Sequence, residues 1–301
     1  MSGLSELTNR GSYALAPELV LTPEGALSDM VVQVRDGEIV QVGPRGLVAA
    51  GTPVVDLPER AIVPGFIDAH THLGQAFGKA ITGGEPAQIW RRIWTPMEGS
   101  YDAETVYVSA KWMFLEALRG GFTGIVNFAV LDGEKAAALH QAATDVGIRL
   151  VSATGAALPV DGTRQPSHCD IAKAIDGALK RAEAHIATCK GQPLITPSLC
   201  VPAVQSAPGE MLRALSDYAA AQGVMFQIHT NEHHVEVHWS VCTHGKRPLE
   251  YFADHGAVGP HTLHHHCTLV TDREIEILRE TGVAVTPGLD FDPERGAQTL
   301  R

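Results

Sequence analysis

Cysteine is scarce in this chain of 301 residues, and aromatic side chains make up only 6% of it. The five cysteines are odd in number and form no CxxC pair, which argues against a disulfide framework and fits a reducing cytoplasm. Lysine and arginine are outnumbered, 23 against 34 acidic residues, and a net charge of −11 does not suit nucleic-acid binding. No apolar run reaches the roughly 18 residues of a membrane span, and the N-terminus lacks a secretory pattern. We therefore expect a cytoplasmic globular protein that binds neither nucleic acid nor a membrane.

Histidine, in contrast, is abundant: the chain has 15, and most of them fall between residues 229 and 266. Imidazole is the side chain that titrates near neutral pH, and it is the commonest metal ligand in proteins. This crowding is the first indication of chemistry in the sequence.

The first 60 residues predict a small β-module. Apolar and polar residues alternate in short runs, and turn residues such as Asp36-Gly37 separate them. The pattern changes near Arg60, where a continuous apolar stretch begins. We therefore expect residues 1–60 to form part of a small β-sandwich and residues 61–301 to form a second domain.

The second domain alternates between short apolar strands and helical segments. Its first strand, AIVPGFIDAH, is expected to be continuous and buried, and six further strands follow. Seven such units favour an α/β fold of the (β/α)₈ TIM-barrel type over an open sheet. The eighth unit is absent, because the chain ends at Arg301. Helices are expected over residues 103–119, 133–146, 171–188, 208–222, 245–256 and 272–281.

Two histidines end the first barrel strand. His70 and His72 are two residues apart, so their side chains lie on the same face of a strand. In a TIM barrel the carboxyl ends of the strands form the rim that carries the active site. The pair is therefore placed to chelate one metal ion from inside the barrel.

Later strands bring further imidazoles to the same rim. His229 ends the strand MFQIH, Glu232 follows in the next loop, and His266 ends the strand TLHHH. Histidines at the ends of three separate strands favour a site for zinc, iron or another borderline divalent ion over a set of structural histidines.

Other histidines near this rim are expected to have lesser roles. Because side chains alternate along a strand, His264 should share the face of His266, and His265 should point away from it. A solvated or substrate-facing loop is expected to carry His233, His234 and His238.

The motifs of this chain resemble the amidohydrolase superfamily, on the evidence of PGFIDAHTHLGQ, WRRIWTPMEGSYDAETVYVSAKWMFLEALRGGFTGIVNF, IHTNE and HHHC. More narrowly, they are similar to its cytosine-deaminase-like branch, which holds adenosine-derivative and guanine deaminases and triazine hydrolases. The resemblance extends over about residues 19–290. It implies a barrel of the metal-dependent hydrolase type and an enzyme that hydrolyses carbon–nitrogen bonds other than peptide bonds.

The same resemblance implies a set of site residues. One divalent ion, zinc or alternatively iron, would be held by His70, His72 and His229, with Glu232 and His266 as catalytic residues. A second ion would need a lysine or glutamate on the fourth strand, LITPSLCV, which has neither. The implied reaction is hydrolytic deamination of a purine, pyrimidine, pterin or triazine ring by a metal-activated water, with the glutamate protonating a ring nitrogen.

Polar and aromatic residues on the first long loop are candidates for contact with this small heterocyclic substrate. The aromatic faces suit a flat ring, although packing within the loop would also explain the two tryptophans. The candidates are Gln75, Trp90, Trp94 and Glu98.

One feature of the resembling family is missing. Its members carry an aspartate after an eighth strand, and only Asp290 and Asp292, just past the seventh strand, are alternatives in this chain. We expect a chain that is C-terminally truncated relative to the family. A barrel without its last strand leaves two strand edges unpaired, so we also expect a homo-oligomer or a second, completing chain.

Three functions remain open from the sequence. The first is deamination, which the HxxE element formed by His229 and Glu232 favours, because the glutamate serves a ring nitrogen. The second is a cyclic amidase or chlorohydrolase of the same superfamily. The third is a catalytically impaired homologue or subunit that lacks the aspartate after strand eight.

Overall fold

The chain forms two structural units, which a computed structural model describes over residues 11–79, 81, 89–131, 133–156, 158 and 170–287. The first unit is Met1–Phe66 and the second is Ile67–Arg301. The division lies a few residues beyond Arg60, where the sequence predicts a domain boundary.

The first unit is built on five strands: β1 Ser12–Thr22, β2 Gly25–Leu27, β3 Met30–Arg35, β4 Glu38–Pro44 and β5 Val54–Ile62. Their order is β2-β1-β3-β4, and β5 pairs with β1 in parallel. Asp36 and Gly37 connect β3 to β4 with left-handed φ angles of +52° and +82°. Such angles suit a two-residue hairpin, as the Asp-Gly pair predicts.

In the part of the chain that the structure describes, seven strands form a second sheet: β6 Phe66–Thr71, β7 Phe122–Asn127, β8 Arg149–Gly155, β9 Ile195–Val201, β10 Met225–Thr230, β11 Thr262–His266 and β12 Ala284–Pro287. All of it except Phe66 belongs to the second unit. The strands lie across the sheet in chain order, and every neighbouring pair from β7 to β12 is parallel. This arrangement confirms the predicted α/β fold of the barrel type with seven strands.

Eight α-helices lie within the described ranges: α1 Thr95–Gly99, α2 Ala103–Arg119, α3 Gly133–Val146, α4 Ile171–Cys189, α5 Gly209–Gln222, α6 His234–His244, α7 Pro248–Asp254 and α8 Asp272–Thr281. The sequence predicts α2, α3 and α8 with these bounds, and α4, α5 and α7 to within a few residues. Within these ranges, no helix is long and apolar enough to cross a membrane.

The first barrel strand is interrupted, which corrects the prediction of one continuous buried strand. Ile62 ends β5 and Phe66 begins β6, with residues 63–65 outside any strand. Pro64 has no backbone N–H to donate to a strand ladder, so an apolar run that contains it need not form a continuous strand. Phe66 is 57% exposed.

Helix α6 takes the place of the loop predicted after His229. His234 is its first residue, and His238 lies in its second turn. Valine and histidine, which are frequent in this segment, are weak helix formers, so intrinsic propensity does not predict the helix. Side-chain contacts stabilise it instead: the Glu236 carboxyl group in its first turn accepts a hydrogen bond of 2.9 Å from the N–H of Glu232, and Trp239 packs in the buried apolar cluster that contains Phe252.

The seven-stranded sheet is rolled. Strands β6 and β11 lie five positions apart in it, which in a flat sheet corresponds to about 24 Å. The ring of His70 on β6 nevertheless stacks on the ring of His265 on β11, with the centroids 3.8 Å apart. The sheet therefore encloses an interior, as a barrel does.

Two apolar clusters hold the helices against the outer face of this sheet. One contains Leu212, Phe226 and Phe252, and the other contains Phe114 and Leu150, all with at most 1% of their surface exposed. Burying each of these side chains contributes about 1.5–3 kcal/mol. Because the apolar packing lies outside the sheet, the carboxyl ends of the strands can carry polar side chains.

Gly155, the last residue of β8, lies where the neighbouring backbone leaves no room for a side chain. A Cβ atom there would come within 1.8 Å of the carbonyl oxygen of Cys200 on β9. We expect Gly155→Ala to lower the free energy of unfolding by about 3 kcal/mol, because the two strands must separate. Chemical denaturation followed by circular dichroism measures this change.

The matched control is Gly177→Ala in α4, where the atom nearest to the added Cβ is 3.6 Å away. Helix propensity then dominates, and the free energy of unfolding should rise by about 0.5–1 kcal/mol. A Gly155→Ala variant as stable as the wild type would contradict the close approach of β8 and β9.

Candidate active site

Four imidazoles meet inside the carboxyl end of the rolled sheet. His70 lies in β6 and His72 is the first residue after that strand, while His229 lies in β10 and His266 ends β11. Five of the six ring pairs have centroids between 4.9 and 5.3 Å apart. The structure therefore brings together the four histidines that the sequence singles out.

The spacing of the ring nitrogens fits ligation of one metal ion. Nε2 of His72 lies 3.3 Å from Nε2 of His229. Two nitrogens bound to one tetrahedral zinc at about 2.1 Å are about 3.4 Å apart. His70, His229 and His266 each offer an atom within 4.8 Å of those of the other two.

The hydrogen bonds of these imidazoles also leave nitrogens free for a cation. Nδ1 of His229 lies 2.7 Å from the carbonyl oxygen of Pro202, which can only accept, so Nδ1 carries the proton and Nε2 carries the lone pair. Nδ1 of His70 and Nδ1 of His266 are buried without a hydrogen-bond partner in the described part of the chain. Buried polar atoms normally have partners, so these residues fit a bound divalent ion.

Burial keeps three of these imidazoles uncharged. Desolvation is the main cause that lowers the pKa of His70, His72 and His229, and it takes the pKa of His72 to about 4. Proximity to the other imidazoles lowers these pKa values further. Neutral imidazole is the form that binds metal ions.

His265 faces the interior of the barrel, which corrects the prediction that it points away. Its ring stacks on His70, whereas His264 packs on Phe252, with centroids 5.8 Å apart. The alternation of side chains ends at His266 because this residue has a left-handed φ of +69°, followed by +49° at Cys267. His265 and His266 therefore both reach the interior.

The two nitrogens of His265 already have partners. Nε2 lies 3.0 Å from the amide oxygen of Gln227 and Nδ1 lies 2.6 Å from the hydroxyl of Thr286. The Gln227 amide in turn donates to Ser198 Oγ at 2.7 Å, and that hydroxyl donates to the carbonyl of Ser152 at 3.1 Å. His265 thus lines the site, and neither of its nitrogens is free to bind a metal ion.

Glu232 holds its carboxylate beside the imidazoles. Its Oε1 lies 2.8 Å from Nε2 of His233, and its Oε2 lies 3.8 Å from Nε2 of His266. Burial alone would raise the pKa of this carboxyl, but the hydrogen bond to His233 and the nearby His266 outweigh burial and hold the pKa well below its ordinary value. The carboxylate is therefore ionised and able to accept a proton.

Asn231, which precedes this glutamate, anchors the loop and is a residue that sequence reasoning missed. It is fully buried and has a left-handed φ of +51°. Its side-chain amide donates to Glu274 Oε1 at 2.7 Å and to the Leu269 carbonyl at 3.3 Å, and its oxygen accepts from the Leu249 N–H at 3.2 Å. Asparagine tolerates the left-handed conformation, so one residue turns the chain and attaches it to three segments.

The partner of Asn231 is itself held by a buried network. Glu274 is 0% exposed, and its Oε2 accepts from Nε of Arg247 at 2.8 Å and from the N–H of Thr271 at 2.9 Å. Arg247 also donates to the Leu269 carbonyl. Because each buried polar atom here has a partner, the network orients the loop that carries Glu232.

Glu236 is a second residue that sequence reasoning missed. Burial and the neighbouring Glu232 raise the pKa of its carboxyl to about 8. Its Oε2 accepts from the Glu232 N–H, and its Oε1 has no partner among the described residues. The spacing of four residues from Glu232, one helical turn, is the only sequence signal that could have indicated it.

The first long loop brings three of the four candidate substrate contacts near His72. A cavity of about 330 Å³ is lined by Gln75 and Trp94 together with His72, Thr71, Lys79 and Met113. The Gln75 side chain is hydrogen-bonded to Glu98, and burial raises the pKa of Glu98 to about 7. Trp90 is 45% exposed and does not line this cavity.

Asp290 and Asp292, the alternatives for the missing aspartate, lie outside the described residues.

Residues 61–298 match a protein-family model described as "Amidohydrolase family". The chain is also 31% identical over 284 residues to a 5'-deoxyadenosine deaminase of Methanopyrus kandleri, a match that covers 92% of this chain and 61% of that protein. The chain thus spans about three fifths of the length of this relative.

Two solved structures have a similar fold. An adenosine deaminase from Xanthomonas campestris with bound zinc gives a TM-score of 0.75 at 23% identity, over 91% of this chain and 62% of the other. A guanine deaminase from C. acetobutylicum with bound guanine gives a TM-score of 0.78 at 19% identity, over 91% and 67% of the two chains. At these identities the similarity establishes a shared fold.

Replacement of Asn231 tests whether it anchors the loop that carries Glu232. Asn231→Ala should lower the free energy of unfolding by about 4 kcal/mol, because it leaves the Leu249 N–H and Glu274 Oε1 unpaired and places alanine at a left-handed φ. Asn231→Gly should lose the same hydrogen bonds without the strain, and so remain about 1 kcal/mol more stable than the alanine variant. Urea denaturation measures both values, and an alanine variant within 1 kcal/mol of the wild type would contradict the anchoring role.

Glu98 should make stability depend on pH. Its pKa of about 7 lies above the value of 4.5 for a free glutamate, so the folded state binds more protons between these values and stability falls as pH rises from about 4.5 to 7. Glu98→Gln removes this titration. Its melting temperature relative to the wild type should therefore increase across that range and level off above it, as scanning calorimetry at a series of pH values would measure. Glu104→Gln, at an exposed position in α2, is the control, and a parallel pH profile for Glu98→Gln and the wild type would contradict the shift.

Proposed function

The chain belongs to the amidohydrolase family, as its motifs predict, and we propose that it is a metal-dependent hydrolase that deaminates a nitrogen heterocycle. The observation that carries this proposal is the ionised carboxylate of Glu232 beside the four clustered imidazoles, of which His70, His72 and His229 are neutral. Ligands for a divalent ion and a proton carrier thus lie within one small site. The ring would be of the purine, pyrimidine, pterin or triazine type.

The proposed metal ligands are His70, His72 and His229, and zinc is the proposed ion. A divalent ion bound there would supply a hydroxide at neutral pH by lowering the pKa of water. The tautomer of His229, set by the Pro202 carbonyl, supports this assignment, because it directs Nε2 toward His72. We assign His266 to the catalytic residues, since its Nε2 lies 3.8 Å from Glu232.

We propose that Glu232 moves the protons of the reaction. Its carboxylate would accept one proton of the attacking water at Oε2 and deliver it to the ring nitrogen next to the attacked carbon. It would then accept the second proton, from the hydroxyl that the water leaves on that carbon, and deliver it to the departing amine, which leaves as ammonia. A low resting pKa supports the first step, because the group must be ionised before it can accept a proton. The anchored backbone at Asn231 supports the second step, since proton transfer requires a fixed distance to the ring.

The heterocycle would bind in the cavity next to His72. We propose that Gln75 and Glu98 form hydrogen bonds with the polar edge of the ring and that Trp94 covers its face. The cavity of about 330 Å³ and the hydrogen bond between Gln75 and Glu98 support this assignment. Trp90 has weaker support, because it is exposed.

The relatives supply further support for the chemistry. The similar proteins include deaminases named for 5'-deoxyadenosine, adenosine and guanine, and the adenosine deaminase structure contains zinc. We propose the same class of substrate and the same metal for this chain. We also propose residues 1–60 as the sandwich domain and residues 61–301 as the barrel domain, in a reducing compartment that suits the four free cysteines described.

Glu232→Gln tests the proposal in one variant. On a panel of amino-substituted heterocycles, the wild type should release ammonia, and the variant should be slower by about 10³-fold, because general acid–base catalysis is lost. Elemental mass spectrometry should find the same metal content in both proteins, whereas His229→Ala should lose one equivalent. Glu104→Gln is the control, because it removes the charge of a glutamate outside the proposed site.

Other results would overturn the proposal. Full ammonia release by Glu232→Gln would show that this carboxylate does not carry the protons. An unchanged metal content in His229→Ala would show that the imidazole cluster does not hold the ion. Release of chloride or of a ring-opened acid, in place of ammonia, would show that the chain cleaves a different bond.

A further inference from the structure

A second group of metal-binding side chains lies on the other side of the sheet, between α3, α4 and β8. It contains His140 on α3 and His185 and Cys189 on α4, each at most 5% exposed. One donor atom from each residue lies within 4.8 Å of those of the other two. None of the three belongs to the proposed active site.

We propose that His140, His185 and Cys189 form a second metal site, which binds a thiophilic divalent cation of the zinc class. Two imidazoles and one thiolate are a donor set that suits zinc, and also copper, among the common biological cations. This site is separate from the proposed catalytic function and does not depend on it.

The helix geometry of α4 supports the proposal. His185 and Cys189 are four residues apart, so the helix presents both side chains on one face. Sγ of Cys189 lies 3.8 Å from Nε2 of His185. A nitrogen and a sulfur bound to one tetrahedral zinc, at about 2.1 and 2.3 Å, are about 3.6 Å apart. Only small shifts would therefore bring the two atoms to ligand distance.

The protonation of these groups is compatible with a cation. Burial is the main cause that lowers the pKa of His140, to about 4, and of His185, so both imidazoles are neutral. Burial raises the pKa of the Cys189 thiol to about 11, so a cation would have to displace its proton. The site should therefore bind more tightly as pH rises.

The surrounding polar groups allow the histidines to turn to a cation. Nε2 of His185 donates to the Ser152 carbonyl at 2.9 Å, so it carries the proton, which would move to Nδ1 when Nε2 binds a cation. Nε2 of His140 lies 2.8 Å from the Ser152 hydroxyl. The Ser152 carbonyl also accepts from the Ser198 hydroxyl at 3.1 Å, so it keeps a partner when His185 binds a metal. The Ser152 carbonyl is therefore not left unpaired.

A neighbouring cavity provides room for a fourth ligand. The cavity measures about 370 Å³ and is lined by both histidines, by Arg181 and by small side chains such as Ala137. Three protein ligands and one open position are typical of zinc sites that exchange a water or an anion. The positive charge of Arg181 favours an anion, such as chloride, in that position.

Cobalt titration of the full chain tests this site directly. Cobalt bound to a thiolate has a near-ultraviolet charge-transfer absorption that a site with imidazole and carboxylate ligands alone does not have. After metal removal under reducing conditions, titration with Co²⁺ should produce this absorption within two equivalents in the wild type and within one equivalent in His229→Ala. Cys189→Ser should abolish it and lower the zinc content of the wild type from two equivalents to one.

Matched cysteine variants control for the other thiols. Cys200→Ser changes a buried cysteine elsewhere in the barrel, and Cys242→Ser changes an exposed cysteine that lies 3.6 Å from Nε2 of His238. Both variants should keep the absorption. His140→Gln, which keeps the thiol, should also lose one equivalent of zinc, so the test does not depend on whether Cys189→Ser folds.

Two outcomes would overturn the proposal. The first is a wild type without the thiolate absorption, and the second is an absorption that disappears in Cys242→Ser but not in Cys189→Ser. Metal binding at the proposed active site is tested separately, because of these variants only His229→Ala removes one of its proposed ligands. Loss of zinc in Cys189→Ser with no loss in His229→Ala would support this second site and contradict the proposed function.

Discussion

The exclusion of charge from a crowded group of imidazoles is the constraint on which the rest of the site depends. Two protonated histidines with rings about 5 Å apart would repel each other by about 3 kcal/mol at an effective dielectric constant of 20. Burial adds a desolvation cost for each charge, so His70, His72 and His229 stay neutral. Lone pairs that converge without compensating protons create a negative potential that suits a cation, and Oε2 of Glu232 lies 3.8 Å from Nε2 of His266 in the same group.

Much of this arrangement could be predicted because it depends on local periodicity. The spacing of His70 and His72 places them on one face of a strand, and parallel strands bring His229 and His266 to the same rim. The helices from Ala103–Arg119 to Asp272–Thr281, except His234–His244, follow from apolar spacing and from caps such as the Thr271–Glu274 pair.

The errors fall where tertiary contacts override local pattern. His265 faces the interior because the backbone turns left-handed at His266, and no residue type in the HHHC motif indicates such a turn. Helix His234–His244 begins where Glu236 caps the backbone of the preceding loop, although its valines and histidines have low helix propensity. Asn231 was missed because its role depends on Glu274, 43 residues away in the chain.

A continuous line of hydrogen bonds crosses the sheet from one group of histidines to the other. It runs from His265, which stacks on His70, through Gln227 and Ser198 to the carbonyl of Ser152, which also accepts from His185. Each residue in this line forms a hydrogen bond with the next, so replacing one residue alone would leave a buried polar atom of its neighbour without a hydrogen-bond partner. Substitutions at Gln227, Ser198 and His265 should therefore be tolerated only when they occur together. Across related sequences these three positions should covary, while the apolar residues around them should vary independently of one another.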